Sequence, residues 1–284
     1  MKPGEGAQRC AEGLWGISVP SETLAPWTST HAYLVGDAGV GWLIDPGGAG
    51  PDADAAIDAL LRAAGVRDLK GVLLTHTHRD HVAGVAGVLR RHGPVDVWVH
   101  PAGLGRLPPG VGGRPLGPGR RLVAGPRFLT TVATPGHASD HLAFWLPESR
   151  ALVAGDLVAG RGSTWVGTPD GDVGDYLASL ERAAALDPHL VAPAHGPLRT
   201  DGRAVLDEAR AHRLERERAV WDGLADGPAT LARLREHVYP GLDPAAHDLA
   251  ERSILAHLRK LMRETRVMHL GADAEGPFAR APGA

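Results

Sequence analysis

The stretch Leu73–His81, LLTHTHRDH, sets three histidines and an aspartate directly behind an apolar run. The lead-in, KGVLLTH over residues 70–76, is short and rich in β-formers, and HVAGVAGVLRRHG over 81–93 has Val82, Val85, Val88 and Leu89 at helical spacing. The stretch therefore reads as the end of a buried strand turning into a helix. Residues i and i+2 of a strand point to the same side, which predicts His76 and His78 in one pocket, with Asp80 and His81 turning toward it from the helix start. A lone histidine on an apolar face is usually a satisfied core residue, and in a chain with 15 His a His-x-His pair also arises by chance.

The rest of the chain decides the matter. Ahead of the cluster, LWGISV, HAYLVG and VGWLID between Leu14 and Asp45 read as a strand meander, and PDADAAIDALLRAAG over 51–65 as a helix that starts on Pro51 and stops at Gly65. VDVWVH is a further strand. A second set follows: strands FLTTVATPGH, HLAFWLPE and ALVAGD, helix DYLASLERAAAL, and a last strand LVAPAHG. Sheets with helices outside, built twice over, predict an α/β (α+β) chain whose body is a four-layer αββα sandwich. His137 in ATPGHASDH, Asp156 in VAGD and His195 in APAHG each lie at the end of a predicted strand. Three separate strand ends finishing in a metal-ligand type are hard to attribute to packing.

With this pattern the chain resembles the metallo-β-lactamase-fold hydrolases, over residues 14–198. The resemblance implies two divalent metal ions, with His76, His78 and His137 on one, Asp80, His81 and His195 on the other, and Asp156 bridging. A thiolate-free set of imidazoles and carboxylates suits Zn²⁺ and also accepts Mn²⁺ or Fe²⁺. Two such ions sharing a water hold it as hydroxide at neutral pH, and Asp80 is placed to orient it. The best-known zinc β-lactamases have a Cys where this chain has Asp156, which disfavours antibiotic hydrolysis and points toward the glyoxalase II and ribonuclease Z side. Asp45 in WLIDPG matches a position that supports a ligand histidine, against an ordinary turn. His141 is a candidate acid or substrate contact, or a strand residue pointing away. Thr164 and Trp165 are candidates for the mouth of the cleft.

From Thr200 the character changes. Residues 201–224, 227–239 and 244–265 read as three amphipathic helices, and RVMHL as a strand, the layout of a winged helix. A boundary is expected between a catalytic domain, 1–198, and a winged-helix-like domain with a short tail, 199–284. HRDHVAG, TPGHASDH and YLASLERAAALDPHLVAPAHGP, followed by such a module, resemble the β-lactamase-like protein 2 subfamily. That group implies either a single-stranded RNA endonuclease or a thioesterase acting on carrier-bound acyl groups.

Charge separates these partners. The chain has 30 Lys and Arg against 33 Asp and Glu, a net charge of −3, which gives no global field for nucleic acid. Residues 199–270 hold 13 basic and 12 acidic residues, so the module reads as a lid or homodimer element before an RNA grip, and DNA is disfavoured. The expected activity is a dinuclear hydrolase of an ester, thioester or phosphodiester, small-molecule or carrier-bound. The alternatives are an endoribonuclease on single-stranded RNA, or an iron-dependent oxidoreductase of persulfide dioxygenase type. Cys10 is the only cysteine, and neither a signal-like apolar segment nor an 18-residue apolar run is present, so no membrane contact and a cytoplasmic setting are expected. Residues 101–121, with seven Gly and five Pro, exclude a helix or inner strand and predict a surface loop or an excursion beside the site.

Overall fold

Strands β1 (Gln8–Ala11), β2 (Leu14–Pro20), β3 (Ser29–Asp37) and β4 (Val40–Ile44) form an antiparallel meander in the computed structural model, which describes residues 1, 5–37, 39–271 and 276–283. Helix α1 (Pro51–Ala63) then covers one face. Pro51 opens it, Asp52 and Asp54 sit in its first turn and Arg62 in its last, each at the end of the helix dipole that favours it. Strand β5 (Asp68–Leu73) returns parallel to β4. The segment read as one helix is two, α2 (Arg79–Val82) and α3 (Val85–His92). The break falls at Gly84, whose N–H donates to Gly47 O at 2.9 Å and where a Cβ would lie 2.7 Å from Gly48 O. Strands β6 (Asp96–Val99) and β7 (Arg114–Pro115) complete a seven-stranded sheet in sequence order.

The second sheet has β8 (Arg121–Ala124), β9 (Arg127–Ala133), β10 (Leu142–Leu146), β11 (Ala151–Gly155) and β12 (Leu190–Pro193), with helix α4 (Val173–Ala184) before β12. Its order is β12-β11-β10-β9-β8, and only β11 and β12 run parallel. Strand alternation builds the layers. Tyr33, Val35, Trp42 and Ile44 point to the second sheet and meet Leu129, Phe144 and Val153, while Ala32, Leu34 and Leu43 point to α1 and α3. Leu152 and Ala154 face α4. Because both faces of each sheet are covered, these strands are nearly continuous apolar runs. The result is the expected four-layer α/β sandwich.

The Gly- and Pro-rich segment holds one short 3-10 helix, Pro101–Arg106, then edge strand β7 and the fully buried Leu116. Beyond the sandwich lie α5 (Gly202–Asp222), α6 (Leu231–Val238), α7 (His247–Arg263), and an antiparallel pair, β13 (Val267–His269) and β14 (Phe278–Arg280). This is a winged helix whose second wing strand the sequence reading lacked. Helix α5 belongs to two clusters: Val205 and Leu206 pack with α4, and Val220 packs with α6 and α7. Among the described residues no helix is long and apolar enough to cross a membrane.

Candidate metal centre

The β5 ladder ends at Leu73, three residues earlier than the sequence suggests. Thr75 leaves the sheet because Asp45 takes it over: Thr75 N donates to Asp45 Oδ1 at 2.8 Å and Thr75 Oγ1 to Asp45 Oδ2 at 2.6 Å. On its other side Thr75 O accepts from Leu142 N at 2.7 Å, stitching the two sheets together. His76 and His78 therefore project from a loop, not from strand alternation, and His78 caps α2 in an extended conformation.

The loop still brings them together, with His76 Nε2 and His78 Nδ1 2.9 Å apart. His137, from the turn after β9, sets Nε2 at 2.9 Å from the same His78 nitrogen. A second group forms beside this triad. His195 Nε2 lies 3.3 Å from Asp80 Oδ2 and 3.4 Å from Asp156 Oδ1, and His81 Nε2 lies 3.6 Å from Asp156 Oδ1. Asp156 faces both groups, because its Oδ2 is 3.4 Å from His137 Nε2. Within His76–His78–His137, within His76–His81–Asp156 and within Asp80–His81–His195, all donor atoms lie inside 4.8 Å of one another.

Most of the rings are aimed by a bond at the nitrogen facing away. Asp45 Oδ2 holds His81 Nδ1 at 2.8 Å, Trp165 O holds His137 Nδ1 at 2.7 Å, and Ser29 O holds His195 Nδ1 at 3.0 Å. A ring that donates from Nδ1 keeps the Nε2 lone pair for a cation. Two observations fit a cation here. His81 Nε2 and Asp156 Oδ1 are buried without a hydrogen-bond partner, a cost of about 1–3 kcal/mol each that coordination removes. The donor set of imidazoles and carboxylates is also that of Zn²⁺, Mn²⁺ and Fe²⁺ sites.

Electrostatics divides the two groups. Burial, reinforced by the neighbouring histidines, holds His76 well below the usual histidine range and His78 at about 4, which keeps both rings neutral. Burial opposes charge at His81 and His195 too, but carboxylates outweigh it. Asp45, Asp156 and Asp80 raise His81 well above its ordinary value, and Asp156 with Asp80 raises His195 to about 9. Conversely, burial at Asp80 and Asp156 is overcome by His81 and His195, leaving Asp80 at about 2 and Asp156 well below the carboxylate range. The carboxylate-bearing group thus demands positive charge, as protons on two rings or as a cation.

His141 is placed behind these donors. It is 1% exposed, its Nε2 accepts from Asp156 N at 3.0 Å, and its Nδ1 is 2.8 Å from Thr134 Oγ1. Burial first, then His137, brings it down to about 3. Sequence reasoning missed Thr75, and it missed the buried Asp140, which accepts from Thr77 Oγ1 at 2.6 Å, and Arg106, which donates to Asp170 Oδ2 at 2.8 Å. Asp140 lies inside ASDH, so a signal was present; Arg106 had none, its partner being 64 residues away.

His137, Asp156 and His195 open into a cleft of about 1200 Å³. Its walls come from residues 23–28 between β2 and β3, Ser29 at the start of β3, residues 158–165 after β11, and Leu249 of α7. Thr164 and Trp165 line it, as does Trp27, whose ring stacks at 6.4 Å on His195. Arg161 is the one Lys or Arg among the described lining residues.

The sequence profile described as Metallo-beta-lactamase superfamily matches residues 25–195, more than half of the chain. The chain belongs to the metallo-β-lactamase superfamily. A second profile, Beta-lactamase associated winged helix domain, matches residues 230–275 of this superfamily member. An atrochrysone carboxyl ACP thioesterase of Aspergillus fumigatus is 31% identical over 225 residues, 78% of this chain and 50% of the relative. A beta-lactamase-like protein 2 homolog of Caenorhabditis elegans is 30% identical over 200 residues, 67% of this chain and 64% of the relative. The chain thus spans half to under two thirds of the length of these curated relatives. Among solved structures, a metallo-beta-lactamase family protein of Thermus thermophilus aligns over 95% of this chain and 99% of its own, with a TM-score of 0.78 and 27% identity. That alignment reaches across both the superfamily sandwich and the winged helix.

Proposed function

We propose that this chain hydrolyses esters or thioesters with bulky apolar acyl groups, using two divalent cations, with Zn²⁺ the first candidate and Mn²⁺ or Fe²⁺ suited to the same donors. His76, His78 and His137 hold one ion in this reading, Asp80, His81 and His195 the other, and Asp156 faces both. Such ions, when bound, lower the pKa of water and polarise the oxygen of the bond to be broken. Asp80, whose Oδ2 accepts from Thr30 Oγ1 at 3.3 Å, orients the attacking water. His141 acts as a positioning residue in this reading, where the sequence offered an acid, a substrate contact or a residue pointing away: its Nε2 is occupied by the Asp156 amide, which fixes the turn carrying that carboxylate. The sandwich supplies every one of these donors, and we place the domain boundary at 198/199, with α5 shared between the two packing clusters.

The observation that carries the reading is the convergence of seven donor side chains, three of which, His137, Asp156 and His195, open into one cleft. The cleft's walls argue for the substrate. Trp27, Trp165, Leu24, Val158 and Leu249 present apolar surface, and among the described residues Arg161 is the single Lys or Arg side chain beside them. A groove for single-stranded RNA pairs aromatic platforms with a track of cations, which one arginine does not form. The thioesterase name of the Aspergillus relative supports an acyl substrate. The test is hydrolysis of a long-chain acyl thioester, an acetyl thioester and a single-stranded oligoribonucleotide by protein stripped with chelator and reloaded with each metal. Metal-dependent turnover favouring the long acyl group is expected. RNA cleavage as fast as thioester cleavage would overturn the substrate assignment, and turnover insensitive to chelation would overturn the mechanism.

A further inference from the structure

We infer that the winged-helix module is part of the metal centre, because through Trp165 it fixes the orientation of His137. The inference rests on the proposed role of His137 as a metal ligand. The segment from Thr164 to Thr168, between β11 and α4, is gripped from the module at three points. Arg213 Nη2 of α5 donates to Thr164 O at 2.7 Å, Trp165 Nε1 donates to Leu249 O of α7 at 3.0 Å, and Thr168 N donates to Arg252 O at 3.3 Å. Arg213 is 4% exposed, so its bond is a buried, charge-assisted one. The Trp165 ring also lies against Gly167, where a Cβ would come within 2.3 Å of it.

Toward the sandwich the same segment buries Val166 beside the second sheet and α4, and its Trp165 O accepts from His137 Nδ1 at 2.7 Å. The bond sets the tautomer and turns His137 Nε2 toward His78 and Asp156. Three of the other rings are held from within the sandwich, His76 by Thr75, His81 by Asp45 and His195 by Ser29. His137 is thus the one ring whose anchor depends on the module. Loosening the grip weakens the ion held by His76, His78 and His137 and spares its neighbour.

Trp165→Phe removes the bond to Leu249 and keeps an aromatic ring; Arg213→Met removes the bond to Thr164 and keeps an apolar stem. Full-length protein stripped of metal is titrated with Co²⁺, following heat and the visible absorption of the bound ion. In both variants the affinity for one ion falls about tenfold, its absorption band shifts, and the other ion is held within about twofold of wild type. Trp165→Phe with wild-type affinities and spectrum overturns the inference, as does equal weakening of both ions, the mark of a general loosening. Wild-type protein that takes up no cation overturns the inference together with the proposed function, whereas normal uptake by wild type with an unchanged variant overturns the inference alone.

Discussion

Four of the seven donors come from six consecutive positions, His76 to His81, while the other three come singly from the ends of three elements in the second sheet. The two sets are built differently. The early donors share one loop and the short helix α2 that follows it, and their support is concentrated in Asp45, which binds both Thr75 and His81. The late donors are supported one at a time, His137 by Trp165 O, Asp156 by the His141 ring and His195 by Ser29 O. A chelating loop keeps its donors close whatever surrounds it. Donors brought from separate strands report whether the whole sandwich is closed.

The largest expected effect is at Asp156, the late donor that faces both groups. Asp156→Asn replaces a carboxylate oxygen with an N–H donor, and kcat is expected to fall on the order of 10³-fold, with bound metal falling below wild type by mass spectrometry. Asp80→Asn in the early loop retains Asp156 and is expected to lose less, about 10²-fold. Equal losses would break the comparison, since both sets would then matter alike.

Asp45→Asn tests the shared support of the early loop. An amide cannot accept from His81 Nδ1 and from both Thr75 donors as the carboxylate does. Turning its N–H toward His81 Nδ1 would force the proton onto Nε2, the atom a cation needs. Cation affinity is expected to drop about 10–100-fold, measured by competition with a chromophoric chelator. An affinity equal to wild type would mean that the loop holds its own shape without Asp45.

This contrast also explains what the sequence disclosed. The early loop was legible because its donors are neighbours in sequence, and the late donors because each ends an apolar run. The local geometry was not. Strand alternation at His76 and His78 fails because a tertiary bond from Asp45 ends the β5 ladder at Leu73, and periodicity carries no information about Asp45, 30 residues upstream. The helix after His81 breaks at Gly84 for a similar reason, its contact with Gly47 and Gly48. His141 was legible as a pocket neighbour, but its partner, a backbone amide at Asp156, leaves no mark in side-chain pattern. The same holds for the grip on residues 164–168, since two of its three bonds end on backbone atoms of α7.

Gly155 offers a smaller test of how the late set is held. Its φ is +52° and a Cβ there would meet His141 Nε2 at 2.7 Å and Thr75 Cβ at 2.8 Å. Gly155→Ala must therefore displace the ring that holds Asp156 or the threonine that carries the early loop. A loss of about 1–3 kcal/mol of stability is expected from overpacking, read from urea unfolding. If cation affinity falls as well, the late donors depend on this contact; a stability loss with affinity intact would assign the contact to packing alone.

The smallest effect concerns the module that grips residues 164–168. His257 of α7 is fully buried, and among the described residues neither ring nitrogen has a hydrogen-bond partner, Nδ1 lying 3.8 Å from Glu217 Oε2. Glu217 and Arg213 of α5 and Lys260 of its own helix surround it. Burial brings its folded pKa from 6.5 to about 4, with Arg213 and Lys260 adding to the fall and Glu217 opposing it. The folded state therefore resists a proton that the unfolded chain accepts, so the stabilisation is complete above pH 6.5 and is lost as the pH falls toward 4. At pH 5 the loss amounts to about 2 kcal/mol, visible as a lower urea midpoint than at pH 7. His257→Leu, with nothing to protonate, should flatten that dependence; a variant that follows the wild-type pH curve would sink the assignment. If the flattened variant also keeps the Co²⁺ spectrum of the His137 site unchanged to lower pH than wild type does, the acid sensitivity of the late donors begins in the module and not in the loop that starts at His76.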